Sequence, residues 1–420
     1  LSERIKIGIG IALASILALS LTGISYYFPS IQEETIVVPD LFIEEIEGKI
    51  PTYTVMIPIN LPNITIRADG TVDPTDAPIQ WTGNTYSLAE DIVNYTLRIQ
   101  RDNIVIDGDG HKIQGVRNAP EGIVLQNISN VTLMNMEVTQ FWYGTSLTNC
   151  SNMTITANTI TNIGSRAIII DSCNNSIISD NKINSVGTAI EITSISGFSV
   201  NSTVARNVIT NAALGLTIGG SFSTITENNL ANIYIPIGVT GNQTTISKNR
   251  IVNGIDGIMV TGSYRTIYRN IISNFSESGM TINSGTNSSI YENKVSHSEC
   301  AIIFRNYEDT SIVENNTFYR NNFINNTKTI QVESPSHQNY WDNGSEGNYW
   351  SDYHGTDDNG DGVGDTSYVI DENNIDRYPL MTPYETEQTT NMLFVYLGII
   401  GLVVFAVIVV GIMFVNRRKK

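Results

Sequence analysis

Histidine and cysteine are scarce in this chain, with four and three residues in 420. The histidines (His111, His297, His337 and His354) form no close pair, and the methionines show no cluster. Ligands for a soft or imidazole-seeking metal such as copper therefore gather nowhere in the sequence. Charge is thin as well. Charged residues make up 15%, too few for a disordered polyelectrolyte. Basic side chains are outnumbered 24 to 41 by acidic ones, for a net charge of −17. With Glu3 and the terminal Arg4, Lys6, Arg417, Arg418, Lys419 and Lys420 set aside, 40 acidic against 18 basic residues leave −22 between the ends. Such a field repels phosphate backbones and attracts cations, which argues against nucleic acid as a partner. Helical patterning is missing too: between residues 100 and 380 no apolar stripe recurs at helical spacing.

Two long hydrophobic runs are present. Residues 7–28 carry no charge and follow Arg4 and Lys6, the layout of a signal peptide or of an uncleaved membrane anchor. Residues 392–415 form a 24-residue uncharged run followed by a basic tail. At about 1.5 Å per helical residue this run spans a bilayer with some tilt. Basic residues flank the outer end of both runs, so the positive-inside tendency leaves everything between them outside the cytoplasm. The expected setting is a cell membrane bearing an extracellular or periplasmic ectodomain.

Repetition is what the chain has in abundance. A unit T-I-x-x-N-x-I recurs, its Asn at 158, 181, 207, 228, 249, 270, 293 and 315, in steps of 21–26 residues. Three residues before each Asn lies an apolar residue, from Ile155 to Ile312; an earlier turn fits with Met136 in the Asn slot. A second apolar run follows, as in Ala167-Ile168-Ile169-Ile170 and Gly257-Ile258-Met259-Val260. Short β-branched runs of period two between Asn, Gly and Ser turns are strands. Units this short cannot each bury a core. Stacked as coils about 4.8 Å apart they share one, pairing strands in parallel, with the Asn residues in a column at one corner. The spacing predicts an all-β, right-handed parallel β-helix of about ten coils with capping segments and terminal transmembrane helices. The divisions are a membrane segment (1–28), an N-terminal capping segment (29–100), repeats (101–332), a closing module (333–384), a linker (385–391), a transmembrane helix (392–415) and a basic tail (416–420).

These repeats resemble those of the parallel β-helix family found in NosD-like, carbohydrate-binding and sugar-hydrolysing proteins. Ile66-Arg67-Ala68-Asp69-Gly70 and Asn103-Ile104-Val105-Ile106-Asp107-Gly108 resemble the opening of archaeal surface β-helix proteins, and Gly347-Asn348-Tyr349-Trp350-Ser351-Asp352-Tyr353 resembles their closing module. The resemblance implies three readings: carbohydrate binding, polysaccharide cleavage by carboxylates on an exposed strand face, or copper handling. The scarcity of histidine argues against the last.

Four groups of residues carry candidate chemistry. Asp357, Asn359, Asp361, the carbonyl of Val363, and Asp365 supply oxygen ligands at the spacing of a Ca²⁺ loop, with Gly360 for the tight turn. The twelfth position is Tyr368 rather than Glu, so the loop is not an EF-hand; a structural calcium clamp is expected, against a metal-free polar turn. The outward row read from the second strands (Val124, Ser146, Ile169, Glu191, Thr217, Thr240, Met259, Thr281, Ile303) holds one carboxylate, and the neighbouring row (Asp171, Thr193, Thr261, Asn283, Arg305) another, so Asp171 and Glu191 are the carboxylates expected on adjacent coils. They are the starting suspects for hydrolysis or lysis, against a solvated acidic pair. Trp142 and Tyr143, and Tyr268 with Tyr291 on consecutive coils, are candidate sugar platforms, against ordinary cross-coil packing. Trp341, Tyr349, Trp350 and Tyr353 are expected to pack the closing module onto the coils. Cys150 and Cys173 should stack on adjacent coils, at a separation that suits either a disulfide or two free thiols; Cys300 should be free. Sequons for N-glycosylation are frequent, among them Asn130, Asn152, Asn201 and Asn274. The best-supported function is display or carbohydrate binding at a cell surface. Polysaccharide cleavage and a purely structural envelope role are the rivals.

Overall fold

The computed structural model describes residues 60–385, apart from 117–118, 194–200, 306–311 and 333–337. Both long hydrophobic runs lie outside the described residues. Among the described residues there is no helix, and so none long and apolar enough to cross a membrane.

The described chain is a parallel β-solenoid of about 11 turns. Each repeat contributes a three-residue strand to a 12-stranded sheet and one or two strands to a 20-stranded sheet that wraps the rest of the coil. Thr154–Thr156, Ile177–Ser179, Thr203–Ala205, Thr224–Thr226, Thr245–Ser247 and Thr266–Tyr268 pair in parallel without a register shift. This strict register stacks Ile155, Ile178, Val204, Ile225, Ile246 and Ile267 in one buried file. Each such side chain contributes about 1.5–3 kcal/mol by leaving water. Parallel pairing starts upstream of residue 101, where Asn63–Ile66 lies beside Thr96–Ile99. It reaches into the closing module, where Tyr349–Trp350 lies beside Asn322–Phe323.

The corners explain why asparagine is so common. Asn130, Asn152, Asn175 and Asn201 at one corner, and Asn211, Asn232, Asn253 and Asn274 at another, all have positive φ. Asn tolerates this left-handed conformation better than other residues with a Cβ. A third corner uses Asp180, Arg206, Glu227, Lys248 and Arg269 in the same conformation. At the first corner the residue two positions on is the outward Thr of the next strand, as in Asn130/Thr132, Asn152/Thr154 and Asn201/Thr203. Many sequons are thus a by-product of the turn.

A different set of Asn residues is buried, and it carries the predicted ladder. Asn158, Asn181, Asn207, Asn228, Asn249, Asn270 and Asn293 are 0–3% exposed. Each donates its backbone N–H and its Nδ2 to Oδ1 of the next, as Asn228 does to Asn249 at 2.9 and 3.0 Å. Nδ2 also reaches back to a carbonyl of the preceding coil. Met136 does hold the first rung, its N–H donating to Asn158 Oδ1. Asn315 does not belong. After Asn293 the ladder passes to Asn321 and Asn348, and it ends on the Asp376 carboxylate. The coil after Asn293 is longer, so the 22-residue step selects the wrong Asn; Asn315 is an exposed corner residue with φ 58°. Ile312 is exposed for the same reason, and Phe318 fills its expected core place.

The closing module packs by aromatic stacking, as expected. Trp341 stacks on Phe318 at 4.4 Å and Trp350 on Phe323 at 4.7 Å, both tryptophans fully buried.

Candidate functional site

Strand alternation places one row of side chains on the outer face of the 20-stranded sheet. Its register is Val124, Ser146, Ile169, Glu191, Thr217, Gly238, Met259 and Thr281. Gly238, not Thr240, occupies this row, because the strand Asn229–Val239 ends before Thr240. The neighbouring row runs Tyr143, Arg166, Thr188, Leu214 and Ile235.

One region of this face combines aromatic and charged groups. The Trp142 ring lies against Gly164, where a Cβ would come within 2.6 Å of the indole, so only glycine lets the ring approach the coil this closely. Trp142 remains 36% exposed. Beside it, the Arg166 guanidinium sits over the Tyr143 ring at 5.8 Å and donates from Nε to Glu191 Oε2. Burial works against the charge on Arg166, but the Glu191 hydrogen bond and charge outweigh it and raise its pKa overall. Arg166 was not among the sequence candidates. The signal was available in the register, since Arg166 opens the Ala167 strand directly opposite Tyr143.

Asp171 and Glu191 fall on adjacent coils and neighbouring rows, as expected, and so lie diagonally. Asp171 lies opposite Thr193 and Glu191 opposite Ile169, a separation of roughly 8 Å from strand spacing and rise. Both carboxylates are engaged. Glu191 holds Arg166, while Asp171 accepts from the Ser172 and Thr193 hydroxyls. A second carboxylate cluster was missed altogether. Asp256, 4% exposed, accepts from Ser278 Oγ at 2.5 Å and Thr281 Oγ1 at 3.1 Å, with Arg305 Nη1 at 3.6 Å. It is a satisfied internal network with no open approach among the described residues.

The other tyrosines lie on the other sheet. Tyr268, Tyr291 and Tyr319 form a continuous stack on the 12-stranded sheet, with centroids 5.1 and 5.0 Å apart and planes within 12°. Their ring faces are turned to one another, leaving edges and hydroxyls outward. Burial lifts the Tyr291 and Tyr319 phenols above the ordinary range. The four aromatic candidates are therefore split between two faces, and Trp142 is the one with no aromatic or guanidinium stacked on it among the described residues.

In the acidic loop, Asp357 Oδ1 accepts from the amides of Gly360 and Asp361, and Oδ2 from that of Gly362. Asp361 accepts from Val363, and Asp365 from Asp358. The donor set is hard oxygen and suits calcium chemically, while its carboxylates are held on the loop's own amides. Among the described residues no three His, Cys, Asp or Glu side chains converge as a metal would require.

Cys150 and Cys173 stack on adjacent coils as expected, and both are free thiols rather than a disulfide. Cys173 Sγ accepts the Cys150 N–H at 3.1 Å, Cys150 Sγ donates to the Thr148 carbonyl at 3.4 Å, and the two thiols also hydrogen-bond each other. Cys300 is free.

Two family models match the chain. Residues 198–355 match the periplasmic copper-binding protein (NosD), and residues 85–234 match the right handed beta helix region. The solenoid is a right-handed parallel β-helix, and residues 198–355 of the chain are similar to NosD. Among solved structures it is similar to the A-module of the Azotobacter vinelandii mannuronan C-5 epimerase AlgE6, at 12% identity and TM-score 0.44, covering 67% of this chain and 88% of that one. XylC in complex with xylose matches at 15% identity and TM-score 0.42, over 50% of this chain and 44% of that one. The tailspike protein of E. coli bacteriophage HK620 in complex with pentasaccharide matches at 12% and 0.43, over 63% and 55%. No curated protein matches. The copper named in the NosD description finds no fitting ligand set among the described residues: His111 pairs with Asp91 at 3.4 Å, and the cysteines are buried and hydrogen-bonded.

Proposed function

We propose that this protein binds carbohydrate outside the cytoplasm, on the outer face of the 20-stranded sheet at Trp142, Tyr143, Arg166 and Glu191. The observation that carries it is the half-exposed indole packed against Gly164 beside a hydrogen-bonded guanidinium–carboxylate pair. Sugar rings place C–H faces on aromatic rings and satisfy their hydroxyls on planar polar groups. The prior engagement of Glu191 by Arg166 favours recognition over cleavage, because it fixes that carboxylate as an acceptor on the sheet face. Membrane attachment through residues 392–415 and a structural calcium at Asp357, Asn359, Asp361, Val363 and Asp365 belong to the same proposal. Added calcium should then raise the melting temperature, and chelation should lower it.

The test is a glycan-array screen of the full chain in mild detergent, alongside Trp142→Ala. Reproducible binding that falls about tenfold or more in the variant supports the site. Binding that survives the substitution moves it elsewhere, and a folded protein that binds no glycan points to a structural envelope role.

A further inference from the structure

Trp142 does not stand alone on its column. The register carries it across Ser165 and Gly187 to Ala213 and then Tyr234, four coils away. At one coil per strand spacing this is about 19 Å. Tyr234 is 64% exposed. Between the two aromatics the side chains are small, and Leu214 and Ile235 on the next row form an apolar floor beside them. The near rim is a row of amides. Asn211 donates to Asn184, Asn232 to Asn211, and Asn253 to Asn232, one per coil. Each amide spends one N–H and one oxygen lone pair on this ladder, leaving others to meet hydroxyls at the same repeat. Charges beside the trough are paired, Arg166 with Glu191 and, on the coil after Ile235, the buried Asp256 with Arg305.

We propose that this trough binds an unbranched, uncharged polysaccharide lying along the solenoid axis, with Trp142 and Tyr234 as its two end platforms. The proposal rests on the carbohydrate reading of Trp142 and deepens it by naming the ligand's shape, charge and direction. If each coil accommodates one sugar ring, roughly four rings span the site. A charged polymer would find no net counter-charge and would lose its own hydration on an apolar floor. A branched polymer would meet the Asn rim.

The experiment is titration calorimetry of the full chain with β-1,4-linked glucose oligomers of two to six units, with oligogalacturonate as the charged control. Affinity should climb with length and level off near four units. Tyr234→Ala should cost about tenfold for the long oligomers and nothing for the dimer, whereas Trp142→Ala should weaken both. Ala213→Gln, an exposed position where the longer side chain fills the trough, should also remove the advantage of length. Equal affinity for all lengths with a silent Tyr234→Ala would overturn the trough while leaving the Trp142 platform standing. Tighter binding of oligogalacturonate would overturn the uncharged ligand. If no oligomer binds and the array is also blank, the carbohydrate reading itself fails.

Discussion

Two corners of the same coil face the same problem and solve it differently. Each buries polar groups where the chain turns. At one corner stands the Asn ladder, in which every carboxamide both donates and accepts within the column. Five residues earlier in each coil is a mixed column: Met153, Ser176, Ser202, Ser223, Thr244, Arg265 and Ser288. It becomes an Asn ladder only at Asn316 and Asn339, ending on Asn374. Among the described residues four buried side-chain polar atoms lack a hydrogen bond, and three of them, Ser176 Oγ, Ser223 Oγ and Arg265 Nε, fall in this column. A repeated side chain that carries donor and acceptor in one planar group reproduces its own geometry at the coil spacing. Short hydroxyls and a lone guanidinium do not.

The largest expected consequence is in the ladder. Asn249→Ala removes the acceptor of the Asn228 N–H and Nδ2, and the donor to the Ile225 carbonyl and Asn270 Oδ1. With several buried groups orphaned at once, it should destabilise by about 3–5 kcal/mol, read from the shift of the urea midpoint. A change below about 1 kcal/mol would mean that the two corners do not differ in energy.

Next comes the ladder's last acceptor. Burial raises the Asp376 carboxyl to about 6, although the amides of Asn348 and Tyr378 and the Trp350 indole all donate to it. The folded value lies above the unfolded one. Its stabilising contribution is therefore complete below about pH 4 and lost as pH rises through about 6, roughly 3 kcal/mol in all. Asp342, held below the ordinary range by Arg377 against the effect of its own burial, acts in the opposite sense and loses its contribution as pH falls. The measurement is the difference in stability between wild type and Asp376→Asn from pH 4 to 7. A difference that stays constant over that range refutes the role given to Asp376.

In the mixed column, Arg265 is 2% exposed and has no carboxylate partner among the described residues. Its Nη2 donates to the Gly241 carbonyl at 2.7 Å, and burial lowers its pKa to about 10. Here a charge has been placed where neighbouring coils keep a hydroxyl. Arg265→Thr should therefore stabilise the fold by about 1–3 kcal/mol, seen as a higher urea midpoint. Loss of stability would show that the guanidinium's bonds to the turn carbonyls outweigh its desolvation.

Much of this was legible in the sequence, and the failures have physical causes. The period, the Ile file and the buried Asn column are local and repetitive, so spacing alone located them from Met136 to Asn293. The spacing failed at Asn315, where a longer coil breaks the count. Thr240 was misplaced because the second run of its coil, Pro236-Ile237-Gly238-Val239, lacks the leading Gly or Ala that marks the others. The candidate site was half legible. Trp142, Tyr143 and Glu191 were found by residue type, but their partner Arg166 lies 25 residues from Glu191 and meets it only through parallel register. Whether an aromatic ring offers its face is not a sequence property. Trp142 packs on Gly164 and carries no second ring among the described residues, whereas Tyr291 is covered on both faces by Tyr268 and Tyr319.

The smallest effect is the sharpest test of the difference between the corners. Ser223 is 1% exposed, and its Oγ has no partner, while its carbonyl accepts the Thr245 N–H at 2.9 Å and keeps the coil pairing intact. Ser223→Ala deletes only the orphaned hydroxyl. The methyl that remains fits the same space, so the expected change is a gain of up to about 1 kcal/mol. The same substitution at Ser202, whose Oγ accepts the Ser176 N–H at 3.3 Å, should instead cost about that much. Opposite signs at two serines one coil apart would show that stability in this column follows hydrogen bonding rather than residue type. If Ser223→Ala destabilised as much as Ser202→Ala, the Ser223 hydroxyl would have to be bonded to an internal water. The mixed corner would then be as well satisfied as the Asn ladder, by solvent in place of side chains.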